Sequence, residues 1–75
     1  MIVWKDDEDG DSTGRGAAMT LDVQRLFDGY ILVVAPALFN EAVMLDAKRL
    51  ADAKREAEVR VLNRLAELTE DVRRG

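Results

Sequence analysis

Hydrophobic residues fall into three blocks along the chain, each with its own rhythm. The last block is the most regular. Over residues 46–75, Leu50, Ala57, Val61, Leu68 and Val72 recur at spacings of 7, 4, 7 and 4, and Ala53, Leu62 and Leu65 widen the stripe. Such spacing places one apolar face along a long helix. Glu56 before Arg60 and Glu70 before Arg74 are acid-before-base pairs four residues apart, each worth about 0.2–0.5 kcal/mol on a helix surface. Arg73 and Arg74 stand where a helix C-terminus favours positive charge.

The middle block, residues 20–45, is the most apolar. Thr20 is a candidate N-cap and Asp22 a first-turn acid, followed by Leu21, Val23, Leu26 and Phe27. Every residue from Tyr30 to Val34 is apolar, and Ile31, Val33 and Val34 are β-branched. Periodicity alone does not separate a buried strand from a helix buried on all sides. Pro36 bears on the choice, because proline is favoured at a helix start and kinks a helix interior. The adopted reading is a helix bent at Pro36 that continues through residues 37–45. Phe39 and Val43 extend the C-terminal stripe backwards, but Asp46 and Arg64 land near its centre. A turn near residues 46–48 would fold the two halves into an antiparallel hairpin and help a small chain bury its faces. No Gly or Pro marks that turn, so one long kinked helix stays open beside the hairpin.

The first block is short. Met1, Ile2, Val3 and Trp4 precede a run rich in Asp, Glu and Gly that extends to Gly16. That composition buries no apolar area and predicts a loop or a disordered segment. The expected fold is mainly α: a helical hairpin, or one kinked helix, over residues 20–75, with a flexible acidic arm over residues 1–19.

Composition narrows the function. With 75 residues there is one domain at most, and a core this small usually needs disulfides, a metal, a partner or very regular packing. The chain has no Cys and no His, which removes disulfides and the usual transition-metal sites. A formal net charge of −4, with Lys and Arg interspersed among acids, argues against a nucleic-acid partner. Tyr30–Phe39 falls far short of the roughly 20 apolar residues that cross a bilayer, so no membrane partner is expected. The acidic N-terminal segment is unlike a secretory signal. The expected location is the cytoplasm or a virion, without secretion.

The candidate chemistry is sparse. Aligning Gly14 with the sixth position of a calcium loop supplies Asp9, Asp11 and Thr13 but leaves Thr20 where a bidentate Glu belongs. A solvated acidic loop is the simpler reading. Ser12 is the only serine and has no histidine to activate it. Gly14-Arg15-Gly16 lacks the further glycines and the lysine of a phosphate loop. The chain is therefore expected not to be an enzyme and to hold no cofactor and no metal. Trp4, the single tryptophan, is either an anchor for a partner or a side chain packed on its own fold. Asp46 and Arg64 either pair across the hairpin, meet another subunit, or sit at the edge of a wider stripe.

The rhythm from Tyr30 to Val72 resembles the C-terminal helical hairpin of tailed-phage head–tail adaptor proteins. The matching residues are Pro36, Leu38, Phe39, Ala42 and Leu45 in a first helix, Asp46 at the turn, and Ala53, Ala57, Val61, Leu65 and Leu68 in a second. The resemblance covers a little over half the chain and implies a ring-forming virion component between portal and tail. The match is one of residue types, without a diagnostic motif, and most of the strand-rich part of such adaptors is missing.

The functional expectation is a structural or assembly protein acting by helix-mediated self-association or docking. Its partners would be copies of itself or another protein within a larger assembly. The candidate interface residues are Trp4, Phe39, Val43, Leu50, Ala57, Val61, Leu65, Leu68 and Val72. The alternative is a small acidic regulator that covers a basic surface on a partner protein. A weaker third reading is a peripheral subunit of a larger enzyme.

Overall fold

A computed structural model describes residues 2–75. Five antiparallel strands form a meander, β1 (Val3–Asp6), β2 (Ser12–Arg15), β3 (Thr20–Leu26), β4 (Gly29–Ala35) and β5 (Val43–Leu45), in the spatial order of the sequence. One helix, α1 (Leu50–Arg74), follows and covers one face of the sheet. The fold is mixed α and β, which corrects the expectation of a mainly α chain. Among the described residues there is no helical hairpin and no kinked helix, and the acidic N-terminal segment, expected as a flexible arm, forms β1, β2 and the turn between them.

Each correction has a local cause. The run Tyr30–Val34 is a strand because its side chains alternate in burial. Tyr30, Leu32 and Val34 point into the core, while Ile31 is half-buried and Val33 is exposed on the far face. Its β-branched residues suit an extended backbone. Thr20, expected as an N-cap, opens β3, where Leu21 and Val23 alternate inward in the same way. Register joins the two strands from Thr20↔Ala35 to Leu26↔Gly29, leaving Phe27 and Asp28 as a two-residue turn. Pro36 stands just past the end of β4, after a cis peptide bond to Ala35. Without an N–H it cannot extend the ladder.

The acidic segment is ordered by partners that lie far away in sequence. β1 and β2 form a hairpin closed by residues 7–11, in which the Asp7 N–H donates to Asp11 O at 2.8 Å and Gly10 takes a φ of +89°. That left-handed conformation suits glycine. Ser12, fully buried, donates its hydroxyl to Asp6 Oδ1 at 2.6 Å. Asp11 Oδ1 accepts the Arg25 N–H at 2.7 Å, tying the hairpin to β3.

The core lies between the sheet and the first two-thirds of α1. Leu21, Val23, Tyr30, Leu32, Val34 and Leu45 come from the sheet, and Ala53, Ala57 and Val61 from the helix. Two alanines at the crossing let the helix backbone come close to the strands. Trp4, Leu38, Phe39, Val43, Leu50 and Leu65 pack around the rim.

Candidate functional site

The helix outruns the sheet it covers. At 1.5 Å per residue its 25 residues span about 37 Å. The seven-residue strands β3 and β4 span about 23 Å. Near its start Lys54 pairs with Asp6 at the end of β1 (2.8 Å), and ten residues on Arg64 reaches the loop after β4. The helix thus enters at one end of the sheet and leaves past the other, and the molecule is correspondingly long, 43 × 25 × 18 Å. Leu65 is the last helical residue packed on the core.

Two contacts fix the direction of α1. Glu56 faces the segment before the helix: the Asp46 N–H donates to both of its carboxylate oxygens (2.9 and 3.0 Å) and the Ala47 N–H to Oε1 (2.9 Å). Arg60 Nε donates to Glu56 Oε2 at 2.8 Å, and its NH2 lies 3.4 Å from Asp46 Oδ2. Partial burial pushes the Glu56 carboxyl up, but the Asp46 N–H, Arg60 and the Ala47 N–H together outweigh it and hold the group below its ordinary 4.5. No side chain caps the helix at Arg49, so this clamp supplies the ordering at the N-terminal end. At the far end of the contact, Arg64 Nε donates to Leu38 O at 2.9 Å, and NH1 to Glu67 at 3.1 Å. Asp6 is also held below its ordinary 3.8 by its bonds to Lys54 and Ser12.

Beyond Leu65 the apolar stripe goes on without a sheet beneath it. Leu68 is half-buried, and Val72 is 80% exposed. Leu62, on one flank, is 64% exposed. Arg64 and Asp71 lie on the other flank, as the 100° step of a helix dictates. Among the described residues no cation lies within 4 Å of the Asp71 carboxylate, whereas Glu70 on the outer face pairs with Arg74 at 3.1 Å. A groove lined by Phe39, Asn40, Arg60, Asn63, Arg64 and Glu67 runs beside the point where the helix leaves the sheet.

The expected interface residues therefore divide. Ala57 and Val61 are buried against the chain's own sheet and are core, not free surface. Leu50, Phe39 and Val43 are half-buried at the rim. Trp4 lies over Gly14 on the helix-facing side, so it packs on its own fold, and its Nε1–H is buried without a hydrogen-bond partner. Leu65 packs at the edge of the core, and Leu68 and Val72 alone run on past the sheet. Asp46 and Arg64 do not pair with each other; Asp46 meets Arg60.

Sequence reasoning missed a second exposed apolar region, on the uncovered face of the sheet. Val33 and Met44 are exposed there, with Ile31 between them, and Phe27 is fully exposed at the β3–β4 turn. Asp28-Gly29, an Asp-Gly step beside apolar runs, was the available signal for that turn.

Two residues of the expected cation loop are otherwise engaged: Asp11 accepts the Arg25 N–H, and the Thr13 hydroxyl donates to Asp22 at 3.0 Å. Among the described residues no three acidic side chains converge as metal ligands, and no helix is long and apolar enough to cross a membrane.

Comparison with known protein families, with curated proteins and with solved structures finds no match for this chain. The resemblance to head–tail adaptors required a helix through Pro36, Leu38, Phe39, Ala42 and Leu45. Those residues form a loop and β5, so the resemblance carries no further argument.

Proposed function

We propose that the chain is a small non-enzymatic binding module, working within a larger assembly, that docks through the free C-terminal half of α1. The observation that carries this reading is the continuation of the stripe past the sheet, from half-buried Leu65 through Leu68 to exposed Val72. An amphipathic helix normally ends its apolar face where its cover ends. Here the face continues for two more turns at spacings suited to another helix, flanked by charges that would fix alignment.

The acidic-regulator reading has less support. Asp6 and Asp11 are consumed by Lys54, Ser12 and the Arg25 N–H, leaving Asp7, Glu8 and Asp9 at the hairpin tip.

A photo-crosslinking residue placed at Val72, and separately at exposed Glu70 on the opposite helix face, tests the proposal in cells producing the chain. The reading expects discrete adducts from position 72, none from position 70, and their loss when Leu68→Asp is added. Equal adducts from both positions, or none from either, would overturn it.

A further inference from the structure

The free half of α1 can be aligned against a second copy of itself, and only one direction satisfies its charges. Val61, Leu65, Leu68 and Val72 follow one another at 4, 3 and 4, the seam spacing of a two-helix coil. In an antiparallel pair, each seam residue of one alternating class faces the other class across the interface. Leu65 then faces Leu68 of the copy, Leu68 faces Leu65, and Val72 comes level with Val61, whose side chain stays in its own core. In this register Arg64 of each chain lies beside Asp71 of the other, and the contact occurs twice about the two-fold axis. On the opposite flank exposed Leu62 comes beside the Thr69 methyl of the copy. A parallel in-register pair instead sets Arg64 beside Thr69, which supplies it no acid.

The overlap also ends at a physical boundary. Val61 is the last fully buried helical residue on the sheet, so Val72 of the copy would sit at the edge of this chain's sheet layer. It would fill the space under the overhang, next to Phe39 and Leu38 at the rim of the core. Asp71 has no cation of its own among the described residues, and the Arg64 side chain is about a third exposed beside its in-chain partners.

We infer that the partner of this surface is a second copy of the chain, joined by an antiparallel pairing of residues 64–72 in which Leu65 meets Leu68 and Arg64 meets Asp71 across the two-fold axis. The inference rests on the docking reading above and supplies its occupant. The contact is shorter than a standard interface, so the pairing belongs to the weak class, with a dissociation constant on the order of 100 micromolar.

Complementary charge variants of the full chain test it by sedimentation equilibrium. Asp71→Arg places Arg against Arg in its homodimer, and Arg64→Asp places Asp against Asp. Each alone is expected to dimerise about tenfold more weakly than the parent, because two exposed ion pairs become two repulsions. An equimolar mixture restores both pairs, and dimerisation returns to near the parental level. Folding of each variant is checked by circular dichroism. The Arg64→Asp chain also loses its bond to Leu38 O, but the rescue on mixing is read against its own unmixed control.

Direction is tested separately in this cysteine-free chain. Under mild oxidation a mixture of Leu65→Cys and Leu68→Cys chains should give mostly the mixed disulfide. Predominant like-with-like disulfides, or no rescue in the charge mixture, overturn the antiparallel register. If the chain is monomeric at all concentrations while position 72 still crosslinks to a different protein, self-pairing falls and the docking reading stands. If neither is seen, both fall.

Discussion

Replacing Glu56 with Ala should cost the fold about 2 kcal/mol, mostly by releasing the segment that leads into α1. The carboxylate accepts the N–H groups of Asp46 and Ala47, all at 2.9–3.0 Å, together with Arg60 Nε at 2.8 Å. Hydrogen bonds to a charged group contribute roughly 1.5–3 kcal/mol when desolvated. The Asp46 N–H is exposed and regains water on truncation, so its share is taken as small. The Ala47 N–H is half-buried and accounts for most of the loss. The Arg60 pair, four residues along the helix, adds about 0.3–0.5 kcal/mol. A domain of this size has a stability of roughly 4–11 kcal/mol, so a loss of about 2 is easily measured. It corresponds to a fall in Tm of about 8–16 °C. Urea titration followed by circular dichroism gives the midpoint. A variant within about 0.5 kcal/mol of the parent, the scatter of ordinary surface changes, would refute the clamp.

The same contact has a pH signature. Glu56 is depressed below 4.5, so its stabilisation is fully present above that value and is lost as pH falls through the folded pKa. Asp6 is depressed in the same direction. In Glu56→Gln the acid-side loss of stability between about pH 5 and pH 3 should shrink without vanishing, since Asp6 still contributes. An unchanged acid limb in urea titrations repeated across that range would contradict the assignment.

Other substitutions separate the core from the overhang. In Gly14→Ala the new methyl would stand 2.6 Å from Ile2 Cγ2 and 3.0 Å from Trp4 Cδ2 and Cε2, lifting the indole for a cost of about 1–3 kcal/mol. Because Trp4 is the single tryptophan, a red-shifted emission in the folded state reads that displacement directly, and an unshifted spectrum counts against it. Leu32→Ala, at a fully buried position, should lose about 2.7–5 kcal/mol. Val72→Asp, at an exposed one, should leave the dilute monomer within about 0.5 kcal/mol of the parent, and a larger loss would mean that the stripe is already covered within the chain.

The helix was legible in the sequence because its contacts are periodic and local. The stripe from Leu50 to Val72 lies within one helix, and the pairs Glu56–Arg60 and Glu70–Arg74 form at 2.8 and 3.1 Å. The sheet was not legible, for two reasons. Apolar Ile31 and Val33 occupy the uncovered face of β4, which erased the alternation that identifies a half-buried strand. Asp6 of β1 and Asp11 of its turn are held by Lys54, Ser12 and the Arg25 N–H, partners up to 48 residues away that no local composition rule registers. Asp9-Gly10 and Asp28-Gly29 were the local hairpin signals, and each lies at a β-turn. Of the candidate interface, the stripe was legible, but not the point at which the sheet stops covering it. That point separates core Ala57 and Val61 from free Leu68 and Val72, and it depends on strand length, which a helical reading of residues 20–45 could not supply.

The mass of the purified chain in solution bears most directly on the self-pairing of the uncovered helical turns. Sedimentation equilibrium should give 8.4 kDa at low micromolar concentration and climb towards twice that value as the concentration rises through the high micromolar range, with Val72→Asp holding the lower value throughout. A wild-type chain that stays at 8.4 kDa up to millimolar concentration, or a Val72→Asp chain that associates equally well, would contradict it.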